Sequence, residues 1–276
     1  MKEDNSVPSS EPTVIARYGR AQSGSRVHVT IRGLSKRFDT SQIYDGFDLD
    51  IPSGRLLSIF GPNGCGKSTL MNMIAGLIPA DAGEILFNNK PLRAIKFGYV
   101  FQNYREALFP WLRSLDNIEY PLKLMNLGKA ERRARVENLI ARLGVAIDLY
   151  RYPYELSGGQ QQLISIMRAL VVEPEILFLD EPFSALDYEM TLFMRDQLQR
   201  IFIETRTTTV LVSHDLEEAV YLADHILLLS RKPAQIADYV GFEARRPRSN
   251  TTLSEPDFVN VKAHCLDVFQ RQVRNQ

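Results

Sequence analysis

The sequence predicts an α/β fold with a helical inset. Short, almost wholly apolar runs of strand length (RLLSIF, EILFLD, TTTVLVS) alternate with segments of helical period. One of these runs leads through a glycine-rich turn into a helix pattern, a strand–loop–helix unit. From about residue 103 to 155 the strand signal lapses and helical period takes over.

Residues 1–25 are rich in Ser, Pro, Gly and charge and read as a mobile tail. VHVTIRGL from Val27, and FDLDI from Phe47 to Ile51, alternate at period two and read as strands. RLLSIF (Arg55 to Phe60) is a strand buried on both faces, and TLMNMIAGL after it is helical. EILFNN and IKFGYVFQ add strands. LDNIEYPLKLM and KAERRARVENLIARLG are helices punctuated by Gly128 and Gly144, the second charged along one side. QQQLISIMRALVV (helix), EILFLD (strand), YEMTLFMRDQLQRIFIE (helix), TTTVLVS (strand), LEEAVYLAD (helix) and HILLLS (strand) resume the alternation. After Arg245 a basic stretch, RRPR, reads as a solvated linker before a helix-like segment ending at Gln276. The expected organisation is a tail (1–25), a main domain (26–245) with a helical subdomain at about 103–155, and a C-terminal extension with a helix (246–276).

Composition narrows the function. The 276 residues carry 33 Lys plus Arg against 33 Asp plus Glu, a formal net charge of zero. That balance argues against nucleic acid as a partner, and against a lipid surface held by charge alone. With 45% hydrophobic and 24% charged residues the chain is ordinary globular material. No apolar run approaches the ~18 residues of a membrane span, and the polar N-terminus is no secretory signal. Two cysteines, Cys65 and Cys265, fit a reducing compartment. The expectation is a soluble, cytoplasmic protein.

Three motifs carry chemistry. GPNGCGKST (Gly61, Pro62, Asn63, Gly64, Cys65, Gly66, Lys67, Ser68, Thr69) matches the phosphate-loop pattern. Its glycines let backbone N–H groups converge on phosphate oxygens, and the helix starting near Lys67 aims its positive end at the same anion. Lys67 would neutralise the β- and γ-phosphates of ATP, and Ser68 would place a hydroxyl on Mg²⁺. In ILFLDE a buried strand delivers Asp180 to the sheet edge, where it would hold the Mg²⁺ shell, with Glu181 placed as general base toward water. LSGGQ (Leu156 to Gln160) opens a second helix with Ser157 as N-cap; Gly158 and Gly159, costly at a helix start, point to close approach of a ligand.

The phosphate loop, LSGGQ, the apolar-DE strand, SALD (Ser184 to Asp187) and VSHD (Val212 to Asp215) occur in this chain together, with Gln102 after an apolar strand. Over about residues 27 to 240 the chain resembles the ATP-binding cassette (ABC) family. The resemblance implies a P-loop NTPase (RecA-like) core with an antiparallel β subdomain and an inserted α-helical subdomain. It implies that Phe38, 23 residues before Gly61, stacks on adenine and that Gln102 contacts Mg²⁺ or water and senses the transport partner. It further implies that His214 reaches the γ-phosphate and that Asp187 crosses a dimer interface, where it can equally be a helix N-cap. Ser157, Gly158, Gly159 and Gln160 would close over the phosphate loop of a second copy or a sister cassette. One departure stands out. Leu163 occupies a position that is commonly Arg in the family, which puts a surface or interface contact in doubt.

With one phosphate loop, no membrane span and an insert too short for a coiled coil, the resemblance narrows to a free-standing transport cassette. NYREALFPWLRSLDNI, with Phe109, Pro110 and Trp111 together, would form the groove for a helix of a separate membrane permease. FPWL, RRPR and PDF (Pro256 to Phe258) are similar to cassettes of nitrate, sulfonate, taurine and bicarbonate importers, which work with an extracytoplasmic substrate-binding protein. The implied place is the cytoplasmic face of the inner membrane, as a peripheral subunit. Two alternatives stay open at this level: a non-transport ABC ATPase acting as an ATP-switched interaction module, and a phosphate-loop kinase, against which LSGGQ argues.

Overall fold

The computed structural model describes residues 26–184 and 186–274; the expected tail at 1–25 lies outside the described residues. Two sheets share the core. A three-stranded antiparallel sheet, ordered β2-β1-β4, is built from β1 (Val27–Phe38), β2 (Ser41–Pro52) and β4 (Ala82–Phe87). A six-stranded sheet, ordered β5-β6-β7-β3-β8-β9, contains β3 (Leu56–Phe60), β5 (Phe97–Val100), β6 (Ile176–Asp180), β7 (Thr208–Val212), β8 (His225–Leu229) and β9 (Ile236–Gly241). Its first five strands are parallel, and β9 pairs antiparallel to β8.

Burial explains why the parallel strands read as continuous apolar runs. In β3, Leu56 and Phe60 face one core while Leu57 and Ile59 face the other. In β6, Leu177 and Leu179 alternate in the same way with Ile176 and Phe178. Successive side chains point to opposite faces, and both faces are covered. On one face lie α1 (Lys67–Ile74) and the antiparallel sheet. On the other lie the helices α3 (Ser114–Leu124), α4 (Lys129–Leu143), α5 (Gly158–Leu170), α6 (Tyr188–Thr205), α7 (Leu216–Leu222) and α8 (Pro256–Arg274). The short α2 (Tyr104–Ala107) follows β5. Gly128 and Gly144 bound α4, the latter in the left-handed conformation that ends helices. No helix among the described residues is long and apolar enough to cross a membrane.

Two expectations are corrected. The run after HILLLS hides a strand, β9, whose AQIADYV pattern is broken by a small residue and an aspartate and so carries little apolar signal. The RRPR stretch is not a solvated linker. Arg248 is fully buried, and its guanidinium donates to the carbonyls of Val220, Tyr221, Ala223 and Phe242 at 2.7–3.1 Å. It also lies over the Phe242 ring at 4.5 Å. Three of those carbonyls belong to the C-terminal end of α7, where orphan acceptors and the helix dipole favour a cation. Arg246 joins in, donating to Leu222 and to Asp224. Burial, and then the charge of Arg246, pull the Arg248 pKa down to about 9. Lys262 on α8 pairs with Glu217 in the first turn of α7, so the C-terminal segment grips α7 at both ends.

Removing Arg248 leaves several buried carbonyls short of a partner, while Asp224 keeps Arg246 and the Leu56 N–H. Arg248→Ala is therefore expected to cost about 3–5 kcal/mol, read as a fall in denaturant midpoint. A loss below about 1 kcal/mol would show that the carbonyls find water instead. Burial also lowers the pKa of His28, which hydrogen-bonds Thr208 at 2.6 Å, and of His225, which stacks on Tyr239. A histidine held neutral in the fold takes up protons more readily when unfolded. Its contribution to stability is present above pH 6.5 and lost as pH falls below that value through the folded pKa. Melting temperature should fall over that window, and the double variant His28→Gln, His225→Gln should show a shallower fall.

Candidate functional site

Four adjacent strands, β5, β6, β7 and β3, end at one edge of the sheet, and each hands its next residues to the same crevice. From β3 comes the loop 61–66 and then Lys67 and Ser68 in the first turn of α1. Asp180 ends β6 and Glu181 follows it; Ser213 and His214 follow β7, and Gln102 follows β5. No sequence separation suggests these contacts; the strand order makes them.

The loop is shaped around its own backbone. Gly66 takes φ 117°, and a Cβ there would come within 2.6 Å of Ile43 on β2. The Tyr44 hydroxyl donates to the Gly66 carbonyl at 3.0 Å. The β1–β2 hairpin thus leans on the loop, and Phe38 stands at its tip, 46% exposed, with the Lys36 ammonium 5.1 Å from its ring. Lys67 is buried, donating to the carbonyls of Gly61 and Pro62 at 2.9 and 3.2 Å. Among the described residues no carboxylate pairs with it. A buried cation without a carboxylate partner, at the start of a helix, is a site for an anion.

Asp180 is the opposite case. Burial pushes its carboxyl above the usual carboxylate range, partly offset by the hydroxyl of Ser68, which donates to Oδ1 at 3.0 Å. The neighbouring charge of Glu181 raises it further, while the Tyr99 hydroxyl and Lys67 pull it back. Glu181 sits at φ 45°, a strained backbone for a non-glycine residue. Its N–H bonds the Val212 carbonyl at 2.9 Å, and its carbonyl accepts from Ser184 N–H at 3.2 Å and Oγ at 3.1 Å, which hold the strain in place. Its carboxylate accepts from Gln102 Nε2 at 2.8 Å, and His214 Nδ1 lies 3.3 Å from the same oxygen. Gln102 is thus on Glu181 rather than on the Ser68–Asp180 pair.

Pro62, Asn63, Gly64, Cys65 and Thr69 lie in or beside the loop, Cys65 with its thiol buried and its pKa raised by that burial. Asp187 caps α6, accepting from Met190 N–H at 2.8 Å, and is otherwise exposed. Ser157 caps α5, its Oγ accepting from Gln160 N–H at 3.4 Å while the Gln160 side chain accepts from the Ser157 N–H. Within one chain α5 packs on α3, β5 and α2. The LSGGQ segment stands beside Tyr104 and Met190, with no hydrogen bond to the loop at 61–69 among the described residues.

The fold changes how the two glycines are understood. A Cβ on Gly159 would fall 2.2 Å from Met190 Cγ, and one on Gly158 would fall 2.7 Å from the Tyr104 hydroxyl. A side chain at either position would force Met190 or the Tyr104 ring to move, so packing inside the chain already favours glycine there. Leu163 is also not at a surface: it is buried in the core beneath the helices, so the residue type at this position answers to packing. Sequence reasoning missed Tyr99 and Asn72. The Tyr99 hydroxyl is 2.6 Å from Asn72 Oδ1 and 3.4 Å from Asp180 Oδ2. Its position three residues before Gln102, on a strand leading to the crevice, is the one sequence signal that points to it.

Residues 44–184, half of the chain, match the family described as ABC transporter. The chain belongs to the ABC transporter family. It is 36% identical over 256 residues to the taurine import ATP-binding protein TauB of Yersinia pseudotuberculosis, covering 88% of this chain and 98% of that protein. It is 41% identical over 213 residues to the sulfate/thiosulfate import ATP-binding protein CysA of Neisseria meningitidis, covering 73% of this chain and 58% of that one. Among solved structures, a dimeric ATP-binding cassette in a post-hydrolysis state, bound to ADP and Pi, superposes with TM-score 0.67 at 28% identity, covering 79% of this chain and all of that one. The cassette described above is an ATP-binding, ATP-hydrolysing module of that family.

Gly159→Ala should depress ATPase activity strongly, because the new methyl meets Met190. If packing is the only constraint, adding Met190→Ala restores most of the rate; if a ligand must also approach, the double variant stays as inactive as the single one.

Proposed function

We propose that this cassette powers uptake of a small nitrate-, sulfonate-, taurine- or bicarbonate-like solute through a separate permease, as a peripheral subunit at the cytoplasmic face of the membrane. The observation that carries the ATP-driven part of the reading is the pairing of a buried Lys67 that lacks a carboxylate partner with the carboxylate pair at the end of β6. The import names of the two relatives favour transport over a soluble interaction module, and taurine and sulfate suggest the solute class. An extracytoplasmic substrate-binding protein would complete the system.

In this reading Lys67 and the loop N–H groups take the β- and γ-phosphates of ATP, and Phe38 offers a ring face to the adenine. The Ser68 hydroxyl and the Asp180 carboxylate, 3.0 Å apart, are hard oxygen donors and fit Mg²⁺. No group of three His, Cys, Asp or Glu side chains suited to a metal occurs among the described residues, so these two donors leave most of the coordination sphere to phosphate and water. Bound there, Mg²⁺ would supply positive charge against the phosphate oxygens and relieve the desolvated Asp180. Glu181 accepts the proton of the attacking water. Gln102 and His214 hold one oxygen of Glu181 and leave the other to take that proton, and His214 is free to turn to the γ-phosphate because it is half exposed.

LSGGQ lies beside Tyr104 and Met190 in its own chain, which leaves it to act on a second cassette. Two chains would sandwich two ATP molecules, with the exposed Asp187 at the seam. A groove lined by Phe97, Phe101, Phe109, Tyr120 and Arg168, beside the 70%-exposed Trp111, is the expected seat of a permease helix.

Glu181→Gln should bind ATP and turn over roughly 10²–10⁴-fold more slowly, and should dimerise with ATP and Mg²⁺ by light scattering. Lys67→Ala should lose ATP binding. Full ATPase activity in Glu181→Gln would remove Glu181 as base, and a persistent monomer at high concentration would remove the sandwich.

A further inference from the structure

Tyr99 belongs to two places at once. Its ring, on β5, lines the aromatic groove and lies 4.4 Å, centroid to centroid, from Phe101, which is 42% exposed in the same groove. Its other neighbour is Phe178 on β6, at 5.9 Å. Its hydroxyl points the opposite way, toward Asn72 on α1 and Asp180 Oδ2. The phenol has one proton, which the 2.6 Å contact directs to Asn72, while Asp180 Oδ2 is the longer, weaker approach at 3.4 Å. Burial holds that phenol protonated, as a donor.

The two oxygens of Asp180 therefore have different anchors. Oδ1 is held by Ser68, which belongs to the phosphate loop and its helix. Oδ2 faces Tyr99, which belongs to the groove. A carboxylate anchored at one oxygen by Ser68 has its remaining freedom limited by what stands at the other, and groups around a metal-ligating carboxylate govern how well it binds. We propose that Tyr99 is a positioning residue that ties the packing of the aromatic groove to the orientation of Asp180, through a ring packed on Phe101 and a hydroxyl facing the carboxylate. A segment seated in the groove must press on Phe101, and the adjoining Tyr99 ring carries that displacement to its hydroxyl. Occupancy of the groove would thereby alter how readily the site takes up Mg²⁺ with ATP. The inference rests on the reading of Asp180 as a Mg²⁺ ligand, and adds how a partner reaches it.

Tyr99→Phe keeps the ring and deletes only the hydroxyl. The measurement is the Mg²⁺ concentration giving half of the thermal stabilisation that ATP produces in the full chain, a binding readout independent of turnover. Tyr99→Phe should raise that concentration roughly tenfold, with the melting temperature in the absence of nucleotide nearly unchanged. Phe101→Ala, which removes the ring packed on Tyr99, should also shift the midpoint. The double variant should then match Tyr99→Phe alone, since the groove has lost its route. An unchanged midpoint in either single variant, or independent addition of the two effects, overturns the proposal. Asp180→Asn serves as control. If it shifts the midpoint and Tyr99→Phe does not, Tyr99 alone is wrongly assigned. If neither shifts it, Asp180 is not a Mg²⁺ ligand and the reading of the site falls with the proposal.

Discussion

The constraint on which the site depends is the placing of one carboxylate at the end of a strand with no water on either face. Ile176 to Leu179 are apolar because both sides of β6 are covered, and the chain can turn polar only where the sheet stops. Asp180 is therefore ionisable at a cost set by the sheet itself. Its surroundings answer that cost with a hydroxyl from α1, a phenol from β5 and an ammonium from the first turn of α1. A site built this way is incomplete alone, since a carboxylate short of positive charge and a lysine short of negative charge would both be satisfied by the proposed metal–polyphosphate ligand.

The second half of the site is held apart by the same close packing. Glycines 158 and 159 let α5 settle against Tyr104 and Met190, and that seating fixes where LSGGQ points. The Ser157–Gln160 capping box then closes the helix end without outside help. Two helix starts, one on the sheet edge and one on the helical inset, are thus prepared at separate places in one chain. In the proposed two-chain arrangement a second cassette would bring its LSGGQ start to the phosphate, turning nucleotide binding into motion.

How much of this was legible depended on the kind of signal. The parallel core could be read because strands buried on both faces leave unbroken apolar runs. The loop at 61–69 could be read because its spacing, set between a buried strand and a helix, rarely arises by chance. The caps at Ser157 and Asp187 were legible because a cap is a local bond. What stayed hidden was contact across sequence. Tyr99 and Asn72 lie 27 residues apart and meet only because β5 and α1 flank the same strand end. Edge strand β9 lacks the apolar run that betrays central strands. Arg248 reads as solvated charge because nothing local reveals that a guanidinium will be met by backbone carbonyls from another element. Leu163 reads as a surface position for the same reason, since the elements that cover it are distant in the chain.

The buried arginine ties the C-terminal stretch to the nucleotide crevice. Helix α7 begins two residues after His214, where the Asp215 side chain accepts from the N–H groups of Glu217 and Glu218. Its other end is closed by Arg246 and Arg248, which donate to the carbonyls of Leu222, Tyr221 and Ala223. A helix fixed at both ends moves as a unit, so residues far beyond His214 in the chain share in holding the loop that carries it.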